Sequence, residues 1–216
     1  MTVLDIQPVL DETPRRTYAA DRPIDFATWL TVSRETDTEL IRGVIVDRMA
    51  AQYPHEWIFA WLFKILGSFV SNRKLGVVLG SRTAVKIRRN DGRLPDLLFV
   101  RAENASILQN DAIYGVPDLV IEIVSEHDRP SNLIPLEADY RDLGVPEIVF
   151  IDPHKLLVRY LRKNETDYEE AILTEGRLAF VGVPGFRIEV EWLFAEIKPD
   201  EFTITRQLIE AAEKTA

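Results

Sequence analysis

A single acidic residue inside an apolar strand constrains this chain more than any other feature. Residues 119–124 are all Leu, Val or Ile except for Glu122. Such a run, followed by a cluster of Ser, Asp and Pro, is typical of a strand covered on both faces, as in an α/β sheet. Burying an unpaired carboxylate is costly. Glu122 therefore requires a metal, a cation or a proton to compensate its charge.

The segments around this strand predict one α/β fold. The order strand, helix, strand across 118–152 indicates a βαβ unit with two parallel strands. After Asp152 the alternation of apolar and polar residues indicates short antiparallel strands. We therefore expect a mixed central sheet flanked by helices, with an antiparallel extension. The elements predicted around the central strand are helices at 54–72 and 131–143 and strands at 94–100 and 147–152.

Composition bounds the class of protein. The chain has 216 residues, of which 46% are hydrophobic, and it contains no cysteine. Any metal must therefore be held by carboxylates, carbonyls or histidines. No apolar run reaches the roughly 18 residues of a membrane span, and no secretory signal is seen, so we expect a cytoplasmic protein. The net charge of −9 opposes nonspecific binding to nucleic acid but permits a local basic groove. The predicted organisation is a flexible arm at 1–22, one domain at 23–198 and a tail or short helix at 199–216.

Two further acidic residues are candidate partners of Glu122. Asp96 follows Pro95 at the start of a predicted strand, and 25 residues separate it from Glu122. Two carboxylates at the ends of neighbouring strands can hold one hard divalent cation, with waters completing the octahedron. Such an ion makes hydrolysis of a phosphodiester feasible. Glu39 could add a third ligand, although an exposed strand glutamate is the simpler interpretation of its local sequence.

A basic strand face offers candidate phosphate ligands. Around 82–88, Val85 and Ile87 alternate with Arg82 and Lys86, so that one face is apolar and the other largely basic. A solvated surface explains this pattern, and so does contact with a phosphate-bearing ligand. Residues 90–92 (NDG) predict a turn. His55, at the start of the helix at 54–72, is typical of surface or capping chemistry.

Several motifs together resemble a known family. They are 38–43 (TELIRG), 94–100 (LPDLLFV), 116–125 (VPDLVIEIVS) and 140–153, which includes GVPE and IDP. In this order they resemble the Uma family, a large bacterial group of restriction-endonuclease-like proteins, over about residues 25–195. That family is assigned to the PD-(D/E)XK nuclease fold. The resemblance implies that Glu39, Asp96 and Glu122 are acidic ligands of Mg²⁺ or Mn²⁺. It also implies DNA as substrate and a homodimer, in which two sites address two strands.

The chain departs from the family pattern at its expected lysine. Two residues after Glu122 stands Val124, not lysine. The family instead carries its lysine on the following helix, which corresponds to position 136, and this chain has Leu136 there. The acidic position that precedes it corresponds to Asn132. The lysine is expected to stabilise the charge that develops on phosphate.

These departures leave two hypotheses open. The first is a magnesium-dependent endonuclease in which Lys86 or Arg82 meets phosphate, with Lys86 counted among the catalytic residues; Arg129 could also replace the missing lysine. The second is a catalytically decayed member of the same fold that acts as a nucleic-acid- or protein-binding module. His127 is a conceivable base, but a loop histidine without a visible partner is more often solvated.

Overall fold

A computed structural model describes residues 17–18, 22–32, 37–80, 82–126 and 128–214. Its helices, numbered in chain order, are α1 (Phe26–Val32), α2 (Tyr53–Asn72), α3 (Pro130–Leu143), α4 (Val190–Phe194) and α5 (Glu201–Glu213). Its strands are β1 (Thr17–Tyr18), β2 (Thr38–Ile41), β3 (Val44–Asp47), β4 (Gly76–Gly80), β5 (Val85–Arg88), β6 (Asp91–Arg93), β7 (Leu97–Arg101), β8 (Leu119–Ile123), β9 (Glu147–Asp152), β10 (Leu157–Lys163), β11 (Tyr168–Leu173), β12 (Arg177–Ala179) and β13 (Arg187–Glu189). A 3₁₀ helix, Ala102–Ile107, follows β7.

The central sheet is mixed and confirms the predicted α/β fold. Its strand order is β11-β10-β9-β8-β7-β4. β8 and β9 are parallel and are joined by α3, so the predicted βαβ unit is present, whereas β10 and β11 extend the sheet in antiparallel order. Gly144 ends α3 with φ of 85°, a conformation that glycine adopts without strain.

The two faces of this sheet are covered by different helices. Alternate residues of a strand point to opposite faces. The face that includes Leu97 and Ile121 packs against α2, and α5 packs on α2 in turn through Leu208. The opposite face includes Leu98 and Val120, and it packs with Tyr140 of α3. Glu122 has the same parity as Val120 and therefore lies on the α3 face.

A second sheet brings the N-terminal part of the chain to the site. Its order is β1-β3-β2-β6-β5, and its core is formed by Phe26 and Trp29 of α1 together with Leu40. The turn predicted at 90–92 is displaced towards the N-terminus: the chain turns at residues 89–90, and Asp91–Arg93 is a strand that pairs with β5 and β2. The strand region predicted around 76–89 divides in two, since β4 belongs to the central sheet and β5 to the second one.

Strand β1 and helix α5 belong to different parts of the fold. Thr17 pairs with Val46, so β1 forms an edge of the second sheet, whereas residues 1–16 and 19–21 of the predicted arm lie outside the described ranges. At the other end, Asp200 caps α5 by accepting a hydrogen bond from the backbone N–H of Thr203 at 2.8 Å. Within the described ranges, none of the helices has the length and apolarity that a membrane span requires.

Candidate active site

Asp96 and Glu122 meet across two neighbouring strands. In the antiparallel pairing of β7 with β8, Leu97 lies opposite Ile121. Continuing this register by one residue places Asp96 opposite Glu122. The backbone N–H of Ile123 donates to Asp96 Oδ2 at 2.8 Å, which fixes the aspartate beside the end of β8. The two carboxylates singled out from the sequence are therefore brought together, and both are buried.

Two basic side chains hold Asp96. Arg48 Nη2 donates to Asp96 Oδ1 at 3.0 Å, and His55 Nε2 lies 3.0 Å from Oδ2. Burial alone would raise the pKa of Asp96, but the hydrogen bond and charge of His55, together with Arg48, outweigh it and hold that pKa below its ordinary value. Burial opposes protonation of His55, yet its bond to Asp96 raises the pKa of the imidazole. Asp96 is thus the ionised member of the carboxylate pair.

Glu122 has the opposite electrostatic character. Its Oε1 accepts a hydrogen bond from the hydroxyl of Tyr140 at 2.5 Å. Burial, and next the charge of Asp96, raise the pKa of Glu122 well above its ordinary value, although Tyr140 and Arg48 act in the other direction. Two neighbouring carboxyl groups whose pKa values are moved apart are characteristic of catalytic acid and base pairs and of metal sites.

Glu39 belongs to an adjoining buried network. Its Oε2 accepts from Arg93 Nη1 at 3.0 Å, and its Oε1 from the backbone N–H of Leu94 at 3.4 Å. Arg93 also donates from Nε and Nη2 to Asp139 Oδ2, at 2.9 and 2.7 Å. The charge of Glu39 contributes to the raised pKa values of Glu122 and Arg48. Glu39 therefore lies close enough to share the field of the site, while Arg93 ties it to α3.

The predicted phosphate ligands lie elsewhere. The ammonium of Lys86 lies 5.4 Å from the ring centre of Tyr114 and 5.9 Å from that of Phe26. Arg82 is exposed. Among the described residues, no ion pair joins either side chain to Asp96 or to Glu122.

Within the part of the chain that the structure describes, neither position 136 nor the suggested replacement Arg129 places a cation in an ion pair with Asp96 or Glu122. Leu136 packs, partly buried, against the apolar cluster on the α3 face of the sheet, and Arg129 is exposed at the start of α3. His127 lies outside the described residues.

The donor set suits a hard divalent cation. No group of three or more His, Asp or Glu side chains within the described ranges forms a ready metal cluster. Mg²⁺, however, needs only one or two carboxylates, because waters and substrate phosphate complete its shell. Asp96 and Glu122 supply that pair. Burial, and next the charge of Asp96, raise the pKa of Glu122, and a divalent ion beside it would favour its ionised form.

Sequence reasoning missed the cations of the site. Arg48 follows a short strand and is preceded by Asp47, so that its local sequence resembles an exposed turn. Arg93 directly follows the turn that the sequence predicts at 90–92. His55 was weighed only as a capping residue, although it faces inwards and is buried. The sequence signal that could have identified His55 is its position, as a polar residue, on the apolar and buried side of α2.

The mixed central sheet with its flanking helices has the fold of the restriction-endonuclease-like class. The chain belongs to the Uma2 family, described as "putative restriction endonuclease", whose family model matches residues 24–209. A similar solved structure is that of "a putative nuclease belonging to DUF820" from Anabaena variabilis, with a TM-score of 0.68 and 18% identity. That similarity covers 80% of this chain and 98% of the other. No curated protein matches. The family supports a nuclease-like role, and the solved structure supports the fold.

Proposed function

We propose that this protein hydrolyses nucleic-acid phosphodiesters with a divalent metal ion, Mg²⁺ or Mn²⁺, bound by Asp96 and Glu122. The observation that carries the proposal is the meeting of these two buried carboxylates at the ends of β7 and β8. Their pKa values are moved in opposite directions: that of Asp96 is lowered and that of Glu122 is raised. A cation beside the pair would favour the ionised form of Glu122 as well. Nucleic acid as substrate rests on the family, and the homodimer stays a prediction.

Each side chain has a distinct part in this proposal. Asp96, ionised and held by His55, is the anchor of the ion. Glu122 would be the second ligand of the ion, and Tyr140 fixes its orientation through a hydrogen bond. Glu39 assists by adding negative charge to the site. Its carboxylate also accepts a hydrogen bond from the backbone N–H of Leu94, two residues before Asp96. When bound, the ion would polarise a phosphoryl oxygen and lower the pKa of a water molecule.

Calorimetric titration with Mg²⁺ and Mn²⁺ tests the proposal. We expect wild-type protein to bind, and Asp96→Asn and Glu122→Gln to lose binding while keeping the fold, because both substitutions preserve shape. Asp118→Asn is the matched control, since Asp118 is also buried but accepts hydrogen bonds from Arg101 and Asn104 away from this pair. Cleavage of plasmid DNA by the same proteins gives the second measurement. Unchanged metal affinity in Asp96→Asn, or no binding by the wild type, would contradict the proposal.

A second candidate function is binding without catalysis. The observation that favours it is the occupation of Asp96 by Arg48 and His55 together with the apolar side chain at position 136. In that case the basic side chains replace the ion permanently, as they satisfy the buried charge. DNA or protein binding that is indifferent to divalent ions, without any cleavage, would support this candidate over the first.

A further inference from the structure

Arg48 is held at the mouth of the carboxylate pair. It follows β3, and its backbone N–H donates to the carbonyl oxygen of Asp37 at 2.8 Å, which fixes the main chain there. Its guanidinium meets Asp96 at 3.0 Å, and its side chain is 19% exposed. Although burial alone would lower its pKa, the charges of Glu39, Asp96 and Glu122 raise the pKa of Arg48. The Arg48 guanidinium thus interacts electrostatically with all three acidic residues and remains partly exposed to solvent.

The other arginine and lysine considered for this role are engaged elsewhere. The side chain of Arg93 is 3% exposed, and its three hydrogen bonds to Glu39 and Asp139 enclose it. Lys86 packs over the rings of Phe26 in α1 and of Tyr114. Arg48 differs from both because it combines direct contact with Asp96 and access to solvent. A phosphate that approached the carboxylate pair would meet this guanidinium.

We propose that Arg48 is the phosphate-binding residue of the site, contacting a non-bridging oxygen of the scissile phosphate. This inference rests on the proposed nuclease function and adds the cation that Leu136 does not provide. Guanidinium groups bind phosphate oxygens through paired hydrogen bonds, which a single ammonium does not reproduce. Before substrate binds, Arg48 neutralises Asp96. An ion held by Asp96 would compete with Arg48 for the same carboxylate, so that the guanidinium would be available to the phosphate.

The test compares Arg48→Met and Arg48→Lys with the wild type and with Arg177→Met. Arg177 is the matched control because its exposed ion pair with Glu189 lies in the small β12–β13 sheet. Affinity for a short fluorescent DNA duplex is measured in Ca²⁺ at several salt concentrations, and plasmid cleavage in Mn²⁺. For Arg48→Met we expect the slope of log affinity against log salt to fall by about 0.9, the value for one lost phosphate contact. Cleavage should fall about 10²–10³-fold.

Metal affinity separates this role from a structural one. Arg48→Met should bind Mn²⁺ as tightly as the wild type or more tightly, since it removes a positive competitor, and Arg48→Lys should recover part of the DNA affinity. Equal salt slopes and cleavage for Arg48→Met and the wild type would overturn the role of Arg48 while leaving the nuclease function intact. Loss of Mn²⁺ binding in both Arg48 variants would make Arg48 structural and also overturn it. A wild type that binds neither Mn²⁺ nor DNA overturns both proposals.

Discussion

Arg93 is the residue whose replacement tests most directly how the buried charges hold this protein together. Its guanidinium donates to Glu39 at 3.0 Å and, through two nitrogens, to Asp139 at 2.9 and 2.7 Å. These bonds join β6 to β2 and to α3, so they connect the second sheet with the helix that covers the central one. Arg93→Met preserves much of the side-chain volume and removes all three bonds.

The expected loss of unfolding free energy depends on which partners Asp139 and Glu39 retain after the substitution. Asp139 retains Arg88, whose Nη1 lies 2.7 Å from Oδ1. Glu39 loses its ion pair with Arg93 and retains the hydrogen bond from the backbone N–H of Leu94 and the charge of Arg48 nearby. The substitution therefore breaks one buried pair in full rather than two. Breaking one such pair costs about 3–5 kcal/mol, and we expect a loss of unfolding free energy in that range.

Urea unfolding at neutral pH, followed by circular dichroism, measures this loss. Arg177→Met serves as control and should cost at most about 1 kcal/mol, because its ion pair is exposed. Adding Glu39→Gln to Arg93→Met should recover most of the stability, since it removes the buried charge that Arg93 compensates. A loss below about 1 kcal/mol for Arg93→Met, or no recovery in the double variant, would refute the argument from buried charge.

Three further outcomes are expected from unfolding measurements. Tyr140→Phe removes the buried hydroxyl that donates to Glu122 and should cost about 1–3 kcal/mol, the range for leaving a buried acceptor without its partner; no loss would indicate that the contact is unimportant. Gly92→Ala should cost about 1–3 kcal/mol by overpacking, as the added Cβ would lie 2.6 Å from the ring of Trp29, and wild-type stability would refute this. Burial lowers the pKa of Lys198 from 10.5 to about 8, so the unfolded chain binds more protons between those values. Stability should therefore rise with pH across that interval, and Lys198→Met should abolish that contribution; equal pH slopes would contradict it.

The sequence predicted the elements whose pattern is local. The apolar stripe of α2, the unbroken apolar strand β8 and the glycine after α3 each determine their structure within a few residues. Glu122 was also identified locally, because an acid inside an apolar strand is conspicuous. Asp96 was found through its position at a strand start and confirmed as a neighbour of Glu122 by the pairing of β7 with β8.

The cations were not predictable in the same way, because their partners are distant along the chain. Arg48 and Asp96 are 48 residues apart, and Arg93 and Glu39 are 54 residues apart. Only the pairing of strands in two different sheets brings them together. The prediction of a turn at 90–92 also hid the strand that carries Arg93, since the glycine is required there for close approach to aromatic rings and not for a reversal of the chain.

The overall charge sharpens the choice between the two candidate functions. At a net charge of −9 the chain repels the phosphate backbone, so nucleic acid gains affinity only where local cations outweigh that charge. At this site the cation Arg48 is itself engaged with Asp96. A divalent ion held by Asp96 and Glu122 would add positive charge there and would leave the Arg48 guanidinium available to phosphate. DNA binding that strengthens with Mn²⁺ in the wild type, and much less in Asp96→Asn, follows from the nuclease proposal, whereas a protein-binding module would show no such dependence.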